Sequence, residues 1–185
     1  QRDALAPQLA EQIARCCAVR VDWRLVAQSG LTTAQTLHLL QREPAEHLRA
    51  DLAVVVTGVN DVTGQVPSQR AVEQRDLLAR WLRKAGGVQH VAFAPLPPIQ
   101  HFPGLPQPLR WVAGADARRH NEAIARWART RDDVSLVDMA LPFDLQLMAD
   151  DGFHPGRGAY RFCADAIAGH LAAKVFTRLS LEDAP

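Results

Sequence analysis

Cysteine is scarce in this chain. The 185 residues hold three, Cys16, Cys17 and Cys163. An odd number with one adjacent pair makes a poor disulfide framework, so reduced, mostly buried thiols are expected, and these favour a cytoplasmic setting. No cysteine and histidine cluster has the spacing of a zinc site. Lysine is scarcer, present only at Lys84 and Lys174, and the net charge is +1. The arginines spread along the chain instead of forming a patch, which excludes the electrostatic footprint of a nucleic-acid binder. Long hydrophobic runs are absent, so no membrane span is expected. No secretory signal opens the sequence. No internal repeat or linker divides it, and 185 residues suffice for one domain, 1–185, with a sizeable core.

What the chain does contain is an alternation of helical and extended patterns. Leu5, Leu9 and Ile13 recur at four-residue spacing within 3–17 and predict a helix, with Asp3 as its cap. Val19 to Ala27 alternates, with Val19, Val21, Trp23, Leu25 and Ala27 on one face and Arg20, Asp22 and Arg24 on the other. That pattern predicts a strand near a sheet edge. Thr32 or Thr33 can cap a helix that stops before Pro44. Leu52 to Val56 is continuously apolar, as a strand buried on both faces should be. A helix over 67–84 follows, with Val72, Leu78, Trp81 and Leu82 inward, closed by Gly86-Gly87. Further strands are predicted over 88–94 and 134–137. Helices are predicted over 109–130, with a break at Gly114, and over 155–179. Residues 95–108 hold six of the twelve prolines and are predicted to lack regular structure; such a loop is either a stiff crossing or a substrate wall. Strands alternating with helices imply a mostly parallel sheet in an α/β fold, whose ligands bind beyond the carboxyl ends of the strands.

Three short stretches carry chemistry. In Asp151-Gly-Phe-His154-Pro-Gly, a carboxylate precedes an imidazole by three residues inside a turn. Asp151 can then hold one ring nitrogen of His154 and leave the other to act as a base. By itself this is also a common helix-capping turn. Thr57-Gly58-Val59-Asn60-Asp61 closes the apolar strand and offers the Asn60 amide as a donor. Gln28-Ser29-Gly30 follows the alternating stretch, and Gly30 can present a bare backbone N–H. Acyl transfer needs donors of this kind aimed at the developing oxyanion. All three stretches follow predicted strands and are expected at one sheet edge.

In this order the stretches resemble the SGNH (GDSL) hydrolase family, whose four blocks supply Ser, Gly, Asn and His. Gln28-Ser29-Gly30 resembles the glycine block, Gly58-Val59-Asn60-Asp61 the asparagine block, and Asp151-Gly-Phe-His154-Pro the histidine block; together the likeness spans about 1–176. It implies a three-layer flavodoxin-like fold with sheet order 2-1-3-4-5. It also implies hydrolysis of esters or thioesters, without cofactor, by a Ser-His-Asp mechanism. His154 would be the base and Asp151 its orienting partner. Gly30 and Asn60 would bind the oxyanion, and Gly58 and Asp61 would support the Asn60 turn.

The Gly-Asp-Ser block has no match. The serines are Ser29, Ser68, Ser135 and Ser180, and none stands in that context. Ser29 is a weak substitute. The expectation is that residue 1 falls downstream of the family's first strand, that the nucleophile lies upstream of the chain, and that the absence of a signal is uninformative. The substrate is expected to be a small acyl ester with a short acyl chain. Asp150, Asp151 and His154 offer too few ligands for a metal. The six other histidines, 38, 47, 90, 101, 120 and 170, are expected at the surface or at interfaces. The rival reading is a non-catalytic binding module that keeps the fold and the pocket.

Overall fold

The computed structural model describes residues 4–139, 148, 149, 151, 152 and 154–176. The chain forms two compact units. One comprises Val26–His101 and Pro106–Leu136; the other comprises Gln1–Leu25, Phe102–Leu105 and Val137–Pro185.

The first unit is built on a parallel sheet of three strands, β1 (Leu52–Val55), β2 (His90–Phe93) and β3 (Val134–Leu136), in the order β1-β2-β3. Leu52 pairs with His90 and Val91 with Val134, so the three carboxyl ends point the same way. Val91, Ala92 and Phe93 are fully or almost fully buried. The run at 52–56, expected to be buried on both faces, is instead β1 at the end of this three-strand sheet: Val55 is buried, Leu52, Ala53 and Val54 are half-buried and Val56 is exposed. Four helices of this unit are α2 (Thr33–Leu40), α3 (Val59–Thr63), α4 (Ser68–Gly86) and α5 (Leu109–Ala128). α2 starts where Thr32 accepts the Gln35 N–H while the Gln35 side chain accepts the Thr32 N–H, a reciprocal pair that satisfies two end donors. α4 ends at Gly87, whose φ of +68° suits glycine. Leu78, Ala79 and Leu82 of α4 join Leu40, Val55, Val91, Phe93 and Val134 in one core. Phe93 meets Trp127 edge to face, with ring centroids 5.6 Å apart.

In the second unit α1 (Leu5–Cys17) packs on α6 (Arg157–Leu171), which continues into a π turn at Ala172–Phe176. Leu9, Ala10 and Ile13 of α1 are buried, as are Ala164, Ile167, Ala168 and Leu171 of α6. Burial raises the pKa of the Cys163 thiol, but the expectation of mostly buried thiols fails, since Cys16 is exposed and Cys17 and Cys163 are only half-buried.

Several expectations need correction. Val19 to Ala27 is not a strand. Residues 19–28 carry no regular structure, and Val19, Trp23 and Leu25 are exposed. Alternation marks a face, but a strand exists only where a ladder partner accepts its N–H and C=O groups, and none pairs with this stretch among the described residues. α5 runs through Gly114 unbroken, and the glycine there leaves room for Gln100, whose side chain would lie 2.5 Å from a Cβ. The proline-rich 95–108 contains one 3₁₀ turn, Ile99–His101. His120 and His170 are buried, not at the surface. Asp3, Asp150, Phe153, the end of the last predicted helix and Ser180 lie outside the described residues.

Candidate active site

In the first unit, the apolar run of β1 gives way to Thr57 and Gly58, and α3 begins at once, so Asn60 stands in the first turn of a five-residue helix. Gly58 has φ of +125°, a value that side-chain-bearing residues rarely adopt. A Cβ there would also lie 2.5 Å from Nη2 of Arg75. One hydrogen of the Asn60 amide is given to the Leu31 carbonyl at 3.1 Å. That bond fixes which way the amide faces, and its second N–H has no acceptor among the described residues. Leu31 is the neighbour of Gly30, so the two expected oxyanion donors belong to loops tied directly together. Gly30 has φ of +82°, and the space a Cβ would occupy is open. Glycine is therefore required there by the backbone and not by crowding.

Asp61, the next residue after Asn60, is fully buried. Its Oδ1 accepts the Thr33 N–H at 2.8 Å and its Oδ2 accepts the Thr33 hydroxyl at 2.6 Å. Arg75, only 1% exposed, donates to Oδ2 at 3.2 Å. Burial lowers the Arg75 pKa and Asp61 raises it in return. Asp61 thus ties the start of α3 to Thr33 and to α4, by charge as well as by hydrogen bonds. Arg75 was missed in the sequence. The available signal was its place on the apolar stripe of α4, with Ala71, Leu78 and Leu82, where a cation needs a buried acid.

α5 pins the loop that follows β2 and the link between α3 and α4. Asn121 accepts the Leu96 N–H and donates to the Leu96 carbonyl, at 2.8 and 2.9 Å. His120 shares a 2.9 Å hydrogen bond with the Val66 carbonyl. A carbonyl only accepts, so Nε2 carries the hydrogen; burial lowers the pKa of this ring. These two residues also escaped the sequence reading, since their partners lie 54 and 25 positions away.

In the second unit, Asp151 and His154 meet as the spacing predicts. Asp151 Oδ1 accepts the His154 N–H at 2.9 Å and Oδ2 contacts His154 Nδ1 at 2.6 Å. One carboxylate therefore closes the turn and orients the ring. The turn is further held by Ala149 N–H to the His154 carbonyl, at 2.8 Å, and by Gly152 N–H to the Ala149 carbonyl, at 2.9 Å. Gly152 has φ of +62°. Part of the proline-rich segment braces it: Gly104 N–H donates to the Gly152 carbonyl at 3.0 Å, and a Cβ on Gly104 would lie 2.5 Å from the Asp151 carbonyl. Both side chains stay exposed, 51% for Asp151 and 67% for His154.

Gly30, Asn60, Gly58 and Asp61 thus belong to one unit, and Asp151 and His154 to the other. Ser29 is exposed and makes no hydrogen bond to a histidine among the described residues. Among those residues no group of three or more His, Cys, Asp or Glu side chains could hold a metal ion, and no helix is long and apolar enough to cross a membrane.

Residues 1–162 match the GDSL-like lipase/acylhydrolase family, and the chain belongs to it. Solved structures share the fold at low identity. A lipase from a goat rumen metagenome is 17% identical, with a TM-score of 0.71 over 94% of this chain and 88% of that one. A carbohydrate esterase of family 3 from Talaromyces cellulolyticus is 19% identical, with a TM-score of 0.63 over 98% and 93%. A carbohydrate acetylesterase from Sinorhizobium meliloti is 16% identical, with a TM-score of 0.66 over 93% and 86%. No curated protein matches the sequence. The α/β fold with its parallel sheet is consistent with the SGNH, flavodoxin-like hydrolases, and family membership supports ester hydrolysis as the general chemistry.

Proposed function

We propose that the protein hydrolyses short-chain acyl esters by the SGNH mechanism. The observation that carries this reading is the double hold of Asp151 on His154, through the backbone N–H and through Nδ1. With Nδ1 engaged, Nε2 is the nitrogen that takes the proton of the nucleophile and later returns it to the leaving alkoxide. The carbonyl oxygen gains charge as the acyl carbon becomes tetrahedral. Gly30 N–H and the second Asn60 N–H are the donors assigned to it, and their value lies in being oriented before the charge appears. The nucleophile in this reading is the serine of the family's Gly-Asp-Ser block, a context that Ser29, Ser68, Ser135 and Ser180 do not share. The carbohydrate acetylesterase likeness is in keeping with a small acyl group.

The test uses the full-length protein, p-nitrophenyl esters from acetate to decanoate, and a fluorophosphonate. The expected result is highest kcat/KM on acetate or butyrate, with one serine labelled by the phosphonate and turnover lost in step. Hydrolysis of decanoate above acetate would overturn the short-chain assignment. No turnover and no labelled serine would favour the non-catalytic binding module. Labelling of Ser29 would make it the nucleophile.

A further inference from the structure

We infer that Arg75 is a positioning residue for the oxyanion donors, setting the Gly30 and Asn60 loops against each other through Asp61 and Thr57. The inference rests on the donor roles proposed above and adds a residue outside the motifs that suggested them. Four groups converge on this guanidinium. Nη1 donates to Asp61 Oδ2 at 3.2 Å and to the Ala71 carbonyl at 3.1 Å; Nη2 donates to the Thr57 carbonyl at 3.3 Å and lies under Gly58. Arg75 therefore grips the turn on both sides of Gly58, by its carbonyl before and its carboxylate after. Asp61 passes that grip to Thr33 by two hydrogen bonds. The Thr33 hydroxyl gives its hydrogen to Asp61, so in the 3.0 Å pair with Thr57 the Thr57 hydroxyl must be the donor. The result is a closed ring of hydrogen bonds through Arg75, Asp61, Thr33 and Thr57. It joins the loop that bears Gly30 to the turn that bears Asn60, and the bond from Asn60 to Leu31 lies between the same two segments.

A fully buried ion pair is weak evidence for stability, since well-packed apolar groups often do as well. Its use here is geometric: a planar fork fixes directions that an apolar side chain leaves free. The two roles separate in a double variant. Arg75→Met and Asp61→Asn each strand a buried charge and should lower Tm. Together they remove both charges at similar volume, and most of the Tm should return. If Arg75 positions the donors, their geometry should not return with it. In the double variant the Thr33 amide should exchange with solvent at least about 10-fold faster, and the Gly30 amide and Asn60 side-chain amide resonances should shift or broaden. In the full-length protein, kcat per phosphonate-titrated site should fall about 10–100-fold, with KM within about 3-fold, as expected for misplacement by a fraction of an ångström to an ångström. Donor resonances, Thr33 exchange and kcat that all follow wild type in the double variant would overturn the inference. If the double variant does not fold, Arg75→Lys decides: it keeps the charge and loses the fork, so an unchanged kcat and unchanged donor resonances would likewise refute it. Should the wild-type protein hydrolyse no ester, the function fails on its own, and the resonance and exchange measurements still judge Arg75.

Discussion

The two regions that carry the expected chemistry are built in opposite ways. The Asn60 corner is dry: Asp61 and Arg75 are 0% and 1% exposed, and the side chain of Asp61 is held by Thr33 and Arg75, 28 and 14 positions away. The Asp151–His154 turn is wet, and its ring contact spans three residues. In the roles proposed for them the difference has a reason. An oxyanion donor works by not moving, because reorientation at the moment of reaction would cost what the hydrogen bond supplies. A base must exchange its proton with substrate and solvent, so it needs orientation without enclosure. Rigidity comes from long-range burial at one site and mainly from local spacing, with a brace from Gly104, at the other.

The contrast is broken most sharply at the exposed turn. His154→Ala should lower kcat of the full-length enzyme by about 10⁴-fold or more, since catalytic groups act as a unit. Its stability should stay within about 0.5 kcal/mol, as for exposed surface positions. Steady-state kinetics beside thermal unfolding checks both halves. Wild-type turnover would remove His154 from the mechanism, and a large loss of Tm would mean the turn is structural.

Asp61→Asn should be felt first in stability. It leaves the Arg75 charge buried without its partner, at a cost of about 3–5 kcal/mol in unfolding free energy. Urea titration followed by circular dichroism reads it, and a loss under about 1 kcal/mol would show that the corner relaxes easily.

Asn60→Ala lies between the two. It should cut kcat by about 10²–10³-fold with little change in KM, because the donor acts on the transition state. A change confined to KM would reassign Asn60 to ground-state binding.

The smallest effect sharpens the comparison at a third, half-shielded cluster. Asp133 is held down to about 2, first by the Arg131 hydrogen bond and then by Arg83, and Arg131 also bonds Asp76. A carboxylate depressed in the fold contributes stability that is complete above its unfolded pKa, near 3.8, and is lost as pH falls through about 2. After allowance for solvent screening this should be about 1–2 kcal/mol. Asp133→Asn should lower stability at pH 7 by that amount and flatten the acid limb between pH 4 and 2. An unchanged acid limb would show the cluster to be too solvated to matter.

What could be read without coordinates had short range. The Asp151–His154 hold is set by a three-residue spacing and a turn sequence, and the structure has it. The apolar run at 52–56, the cap at Thr32 or Thr33 and the stop at Gly86-Gly87 are likewise local, and β1, α2 and α4 begin or end within a residue or two of them. What depended on a distant partner was not legible. The alternation of Val19 to Ala27 is as regular as that of any strand, yet its N–H and C=O groups find no ladder among the described residues, and pattern alone cannot provide one. Arg75 lies on the apolar stripe of its helix, but its partner Asp61, fourteen positions earlier, is known only once the two are placed together. His120 reads as a surface histidine until α5 lays it on Val66. By itself the sequence determined which chemical groups the protein carries and which neighbours within a turn they hold. Only the tertiary structure decided which charges leave water, because the cost of burying a charge is set by partners that arrive from elsewhere in the chain.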